Sequence, residues 1–315
     1  MSGKIAIRDA YGNALKQLGA ANEKVVVLEA DVGSSTKSIL FGETYPRRYF
    51  NTGISELNMV NMSAGLALEG FIPYVNTFAA FMATRSLDPI VSLIGYDRLN
   101  VRLCGTYCGL SDSYDGASHQ AITDMAAMRA IPGMTVISVS DAVETQKAVM
   151  ALADFEGPAY LRLSRAAAPV IYDESLPFEI GKGIMLREGT DITIIATGTV
   201  LHRALAAAEL LEKEGIHAAV VDMHTVSPID RELVVACAQK TRAILTVEEH
   251  SVHGGLGSAV AEVTAEEYPV PVSILGATGY AESGDIEQLM EMYGYSLENI
   301  TGRVRDLMKK KEYRT

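Results

Sequence analysis

The chain has 315 residues, 48% hydrophobic and 21% charged, and its 27 Lys plus Arg against 39 Asp plus Glu leave a formal net charge of −12. That length accommodates two domains, and that hydrophobic content excludes disorder as a description of the whole. The acidity speaks against a nucleic-acid partner, since basic residues cluster only at Met308–Lys311 and Arg314, a run that reads as a solvated helix end. Apolar runs such as Val25–Leu28 and Ile192–Thr197 are strand-length, far short of the ~20 residues of a membrane span, so no membrane association is expected. Met1–Lys4 leads into no apolar signal core, and the sparse, odd set Cys104, Cys108 and Cys237 suits a reducing compartment. A cytoplasmic location is the expectation.

The elements alternate. Ala10/Tyr11, Ala14/Leu15 and Leu18 repeat at helical spacing, and Val25–Glu29 is a β-branched strand run ending in the loop Asp31–Ser35. The pattern then predicts a helix over Ser55–Leu68, strand Ile72–Val75, helix Phe78–Ile94 and strand Asn100–Cys104. After a Gly/Ser/Asp loop at Gly105–Ser118 come helix His119–Arg129, strand Thr135–Val139, helix Ala142–Leu152 and strand Ala159–Leu163. Ser164–Arg187, with Pro169 and Pro177, breaks this rhythm. A second alternating run follows: strand Asp191–Ala196, helix Leu201–Glu214, strand His217–Asp222, helix Arg231–Thr241 and strand Ala243–Val247. Helix Gly257–Glu267, strand Val272–Leu275 and helices near Asp285–Met292 and Ser296–Lys310 complete it. Such alternation means βαβ units, hence an α/β protein of two open, mostly parallel sheets. Ligands of such sheets bind outside the carboxyl ends of the strands.

Several chemistries drop out on motif grounds. Gly255-Leu256-Gly257 lacks the third small residue and the acidic partner of a dinucleotide site, and neither a P-loop nor a Gly-x-Ser-x-Gly elbow is present. Cys104-x-x-x-Cys108 has no zinc spacing, and His250-x-x-His253 has no carboxylate to complete a metal site, so no metal ligands are assigned. Two stretches stand out, Asn51–Met59 at a helix start and Tyr114–Gln120 in a polar loop.

Gly53-Ile54-Ser55-Glu56-Leu57-Asn58-Met59 is similar to the Gly-Ile-Arg-Glu-His-x-Met motif of transketolases, and Thr77-Phe78-Ala79-Ala80-Phe81 to the aromatic segment that follows it. Asp115-Gly116-Ala117-Ser118-His119-Gln120 matches the Asp-Gly-Pro/Ala-Thr/Ser-His-Gln loop, and Leu163-Ser164-Arg165 falls where the family has its Leu-Ser-Arg. In this order, the motifs make the chain resemble the C-terminal half of a transketolase. That implies a pyrimidine-binding domain over residues 1–172, a linker over 173–190 and a transketolase C-terminal domain over 191–315.

The resemblance implies thiamine diphosphate as cofactor, with Mg²⁺ held mainly by a separate N-terminal, diphosphate-binding subunit in an α2β2 heterotetramer. Glu56 would bond the aminopyrimidine N1′ and favour the tautomer that activates the cofactor. Phe78 and Phe81, taken as three apart on one helical face, would wall the ring, with Ile54 beside them. His119 would bond the developing alkoxide, Asp115 a sugar hydroxyl and Arg165 a substrate phosphate. The chain departs from the family where a histidine and Val-Gly-Glu become Tyr107 and Asp112-Ser113-Tyr114. Tyr107 thus points to a ketose donor other than the usual pentose phosphate, such as a branched apulose phosphate. The implied reaction is two-carbon ketol transfer between sugar phosphates. The rival reading is the β subunit of a 2-oxo acid dehydrogenase E1 component, built on the same two domains.

Overall fold

The computed structural model describes residues 3–312. Met1 and Ser2 of the N-terminal segment and Arg314 of the basic tail lie outside the described residues. Both expected sheets are present. The first has seven strands in the order Thr225–Ser227, Thr135–Ser138, Ala159–Leu163, Arg102–Thr106, Ile72–Phe78, Val25–Glu29 and Tyr49–Asn51. All neighbours run parallel except Thr225–Ser227, which is antiparallel to Thr135–Ser138. The second has five, in the order Val272–Ala277, Ile244–Ser251, Ile192–Thr197, Ala218–Asp222 and Ile184–Arg187, the last antiparallel.

The local reasons follow from the sequence. Val25–Glu29 is buried at all five positions, as a central parallel strand covered by helices on both faces must be. Helix Ile7–Ala21 buries Ile7, Tyr11, Ala14, Leu15 and Leu18 along one stripe. Asp141 caps helix Ala142–Asp154 by accepting from Glu144 N at 2.8 Å, and Asp230 caps Arg231–Thr241 by accepting from Leu233 N at 3.1 Å.

Two elements cross the expected division of the chain. Thr225–Ser227 belongs to the C-terminal half by sequence yet extends the sheet of the first half. Ile184–Arg187, inside the stretch expected as linker, is an edge strand of the second sheet. The halves also share a core, in which Val136 and Tyr160 of the first sheet join Ile195 and Val221 of the second and Leu256 and Val260 of the helix Leu256–Glu267. Burial pushes the thiols of Cys104 and Cys108 up to about 12, which leaves both as inert core residues.

A buried polar seam runs beside that core. Glu144 accepts from Ser140 N at 2.7 Å, and the Ser140 hydroxyl lies between Glu144 Oε2 at 2.8 Å and Asp222 Oδ2 at 3.1 Å. Tyr172 Oη donates to the same Asp222 oxygen at 2.7 Å. Burial, and then the charge of Asp222, hold the Glu144 carboxyl well above the usual range, and burial raises Asp222 as well. A carboxyl kept protonated by folding gives up stability as pH rises, because the unfolded chain releases that proton at a lower pH. Glu144→Gln places an amide where the unpartnered Oε1 lies and removes the proton from the balance. The variant should therefore gain on the parent as pH rises above the usual carboxylate range, read as a widening difference in Tm in calorimetric unfolding across pH.

Candidate active site

Four segments meet at the carboxyl end of the first sheet. Glu56 is the first residue of helix Glu56–Leu68 and only 5% exposed. The turn before it depends on Gly53, whose φ of +70° suits glycine and whose N–H donates to Asn51 Oδ1 at 2.9 Å. Phe78 ends strand Ile72–Phe78, and the helix after it, Ala79–Arg85, carries Phe81 and Arg85. The expectation that Phe78 and Phe81 share a helical face is therefore corrected. The strand runs on through Phe78, in register with Thr106 of the neighbouring strand, and the helix starts one residue later. Their rings still meet, with centroids 5.7 Å apart.

Tyr107 follows strand Arg102–Thr106 with φ +60°, a left-handed backbone that a bulky side chain rarely adopts. That turn stacks its ring on Phe78 at 4.3 Å and buries it. Its hydroxyl accepts from Arg8 Nη1. The guanidinium groups of Arg8 and Arg165 lie 5.7 and 5.2 Å from the Tyr107 ring centroid. His119 stands edge-on to Phe81 at 5.0 Å and to Phe78 at 6.1 Å, its Nδ1 bonded to Ser118 Oγ at 2.9 Å. It does not open a helix as expected, because the chain turns through Gly116 and the helix begins at Asp124.

The C-terminal domain braces this loop. Leu110 N donates to Glu249 Oε1, Gln120 Nε2 to the Glu282 carbonyl and Gly284 N to the Ser113 carbonyl. Beneath it Arg162, 2% exposed, pairs with Asp124 Oδ2 at 2.7 Å and donates to the carbonyls of Ala121 and Glu249. Burial works to raise the Asp124 carboxyl, but Arg162 and His250 outweigh it and hold it below the usual range. His250 is buried at this junction, where its Nε2 accepts from Ala126 N at 3.3 Å and burial lowers it to about 4.

Glu56, Phe78, Phe81, Tyr107, His119 and Arg165 are thus brought into one neighbourhood. Asp115 is exposed on the loop beside Asp112. Ile54 is 77% exposed and is not drawn into the aromatic cluster. A cavity of about 280 Å³ opens here, lined among others by Phe81, Arg85, Ser118, Gln120 and Tyr280. The sequence reading passed over Arg8 and Arg85. Arg8 lies 99 residues from Tyr107 and carries no local signal. Arg85 lies one helical turn past Phe81, a spacing from which its place could have been read.

Arg85 also tests the implied cofactor. Its guanidinium carbon lies 3.7 Å from the Phe81 ring centroid, and its Nη1 donates to Glu56 Oε1 at 2.7 Å. A buried carboxyl and a flat aromatic face therefore lie within the span of one small planar group, which is the pair of features an aminopyrimidine ring requires. The residues fit.

The sequence matches the model of the transketolase pyrimidine binding domain over residues 3–170 and that of the transketolase C-terminal domain over residues 181–300. The chain belongs to the transketolase family. It is 39% identical to the transketolase of Rattus norvegicus over 98% of its own length and 50% of that protein, so it spans about half of this full-length relative. It is 37% identical to the 6-deoxy-6-sulfo-D-fructose transketolase subunit SqwH of Clostridium sp. (strain MSTE9), covering 98% of this chain and 96% of that one. A solved structure described as a split gene transketolase, inactive beta4 tetramer, superposes with a TM-score of 0.90 at 46% identity, over 98% of this chain and 100% of that one. Membership of the transketolase family implies thiamine diphosphate as cofactor. Among the described residues no helix is long and apolar enough to cross a membrane.

The loop's dependence on the C-terminal domain can be checked at Gly109. Its φ is +59°, and a Cβ there would lie 2.4 Å from Glu249 Oε1. Gly109→Ala should cost about 1–3 kcal/mol in denaturant unfolding, from backbone strain and the lost Leu110–Glu249 contact.

Proposed function

We propose that this chain is the C-terminal subunit of a split transketolase, which transfers a two-carbon ketol unit between sugar phosphates. It would act with a separate N-terminal subunit that holds the diphosphate and Mg²⁺, in an α2β2 assembly. The observation that carries this reading is the convergence of Glu56, Phe81 and His119, from three separate segments, at the carboxyl end of the first sheet, where Arg85 bonds Glu56 and lies on Phe81 and His119 stands edge-on to Phe81. Thiamine diphosphate, when bound, supplies the carbon nucleophile.

The chain's own residues do the rest. Glu56 holds a proton or a hydrogen bond at the pyrimidine N1′, and Phe81, backed by Phe78, presents a flat apolar wall that excludes water. His119, its Nδ1 bonded to Ser118, donates from Nε2 to an oxygen that gains charge on the substrate. Asp115 accepts from a sugar hydroxyl. Arg8 and Arg165, both beside Tyr107, receive an anionic group on the donor. Tyr107 fills this end with a buried neutral ring in place of the family's histidine, which favours a donor shaped differently from the usual pentose phosphate, a branched ketose phosphate among them. Three buried cysteines suit a cytoplasmic setting.

Purified alone with cofactor and sugar phosphates, the chain should show no ketol transfer. Activity should appear when a diphosphate-binding subunit is added, and robust activity of the lone chain would defeat the split-enzyme reading. In the reconstituted assembly, Glu56→Gln should slow exchange of the cofactor C2 proton by on the order of 10²–10⁴, the range of a positioned acid–base group, with folding preserved. Near-normal exchange would remove Glu56 from this role.

A further inference from the structure

Of the two guanidinium groups near Tyr107, one is compensated and the other is not. Arg165 Nη1 pairs with Asp112 Oδ1 at 3.1 Å. Arg8 bonds only neutral acceptors, the Tyr107 hydroxyl and the Ser35 carbonyl, and forms no ion pair among the described residues. The Asp112 side chain is fully buried, while that of Arg165 keeps 35% of its surface exposed. Asp112 Oδ2 is buried with no hydrogen-bond partner, and a buried carboxylate so placed is costly unless it serves a purpose.

We propose that Asp112 is a positioning residue for specificity, which sets how strongly Arg165 attracts an oxyanion on the substrate by holding the guanidinium in place while cancelling its charge. The oxyanion would be the phosphate, or a group of like charge, on the donor sugar. The proposal rests on the functional reading above only in assigning that group to a sugar. When Asp112 is ionised, the pair is neutral and Arg8 alone presents net positive charge to the ligand. When Asp112 is protonated, its carbonyl oxygen can still accept from Arg165, whose charge then faces the ligand uncancelled.

Geometry makes that switch accessible. The titratable and charged groups facing Asp112 are Arg165, from the segment after strand Ala159–Leu163, and Asp115 and His119 from its own loop. The C-terminal domain meets this loop through backbone groups and Glu249, whose carboxylate is occupied by Leu110 N and Thr199 Oγ1. Burial first, and then the Asp115 carboxyl, raise Asp112 to about 6 against the pull of Arg165.

Inorganic sulfate is the probe, because its charge does not change across the range. Titrated into the purified chain at about pH 5 and about pH 8, it should bind the parent roughly tenfold tighter at the lower pH. Asp112→Asn keeps the acceptor and removes the charge, so it should bind tightly at both pH values. Arg165→Ala should bind weakly at both and lose the pH response, which keeps the test decisive even if Asp112→Asn fails to fold. A pH response that survives in Asp112→Asn would belong to His119 and overturn the proposal. So would Asp112→Asn binding no tighter than the parent near pH 8, or an absence of sulfate binding in every form.

In the reconstituted enzyme, Asp112→Asn should lower KM for phosphorylated ketoses several-fold relative to the free ketoses, with kcat little changed. An unchanged ratio would also sink the idea. A parent assembly that transfers no ketol unit would count against the functional reading instead, and would leave the sulfate result standing.

Discussion

The buried ion pair of Arg162 with Asp124, both in the first domain, fixes the guanidinium that also reaches the second. Both side chains are buried, and an isolated charge at either position would be expensive, so each residue obliges the other to stay. Arg162 reaches from a strand of the first sheet to the carbonyl of Glu249 in the second domain, while Asp124 opens a helix and accepts also from Tyr160 Oη. One guanidinium thus ties sheet, helix and neighbouring domain together. The neighbours of that network, Glu249 on one side and Ala121 and Ile122 on the other, are the residues that support the loop of the candidate site.

With the loop so supported, the site can store strain. Tyr107 takes an unfavourable backbone conformation because its stacking on Phe78 and its bond to Arg8 outweigh the cost. Gly109 and Gly116 need left-handed backbone nearby, and a side chain at either would strike the C-terminal domain, at Glu249 or at Ser283. The C-terminal domain therefore works as a buttress for the candidate site on the first domain. This also gives a physical reason for the two halves to share a core and to exchange the strand Thr225–Ser227.

Much of the fold could be read from residue patterns. Strand Ala159–Leu163 and helix Arg231–Thr241 fall where hydrophobic runs and periodicity put them. Misreadings gather at the site. Phe78 read as helix because Phe78 and Phe81 are spaced for one, although pairing with the strand Arg102–Thr106 keeps it extended. His119 read as a helix start, although the turn at Gly116 and bonds to the C-terminal domain hold those residues outside the helix. The strand Thr225–Ser227 is too short to show a period, and it exists only because the edge Thr135–Ser138 is there to pair with.

By itself the amino-acid order determined the alternating α/β architecture, the motifs that mark the family and the place of Glu56 at the start of a helix, because periodicity, turn residues and capping act over a few neighbours. Tertiary structure decided what those residues face. The bond of Arg85 to Glu56, the grip of Arg8 on Tyr107 and the pairing of Asp112 with Arg165 each join segments from different elements. Only the closing of the first sheet brings such groups within reach. Local sequence records the side chains, but their charges and contacts are set by neighbours that the chain reaches only once it is folded.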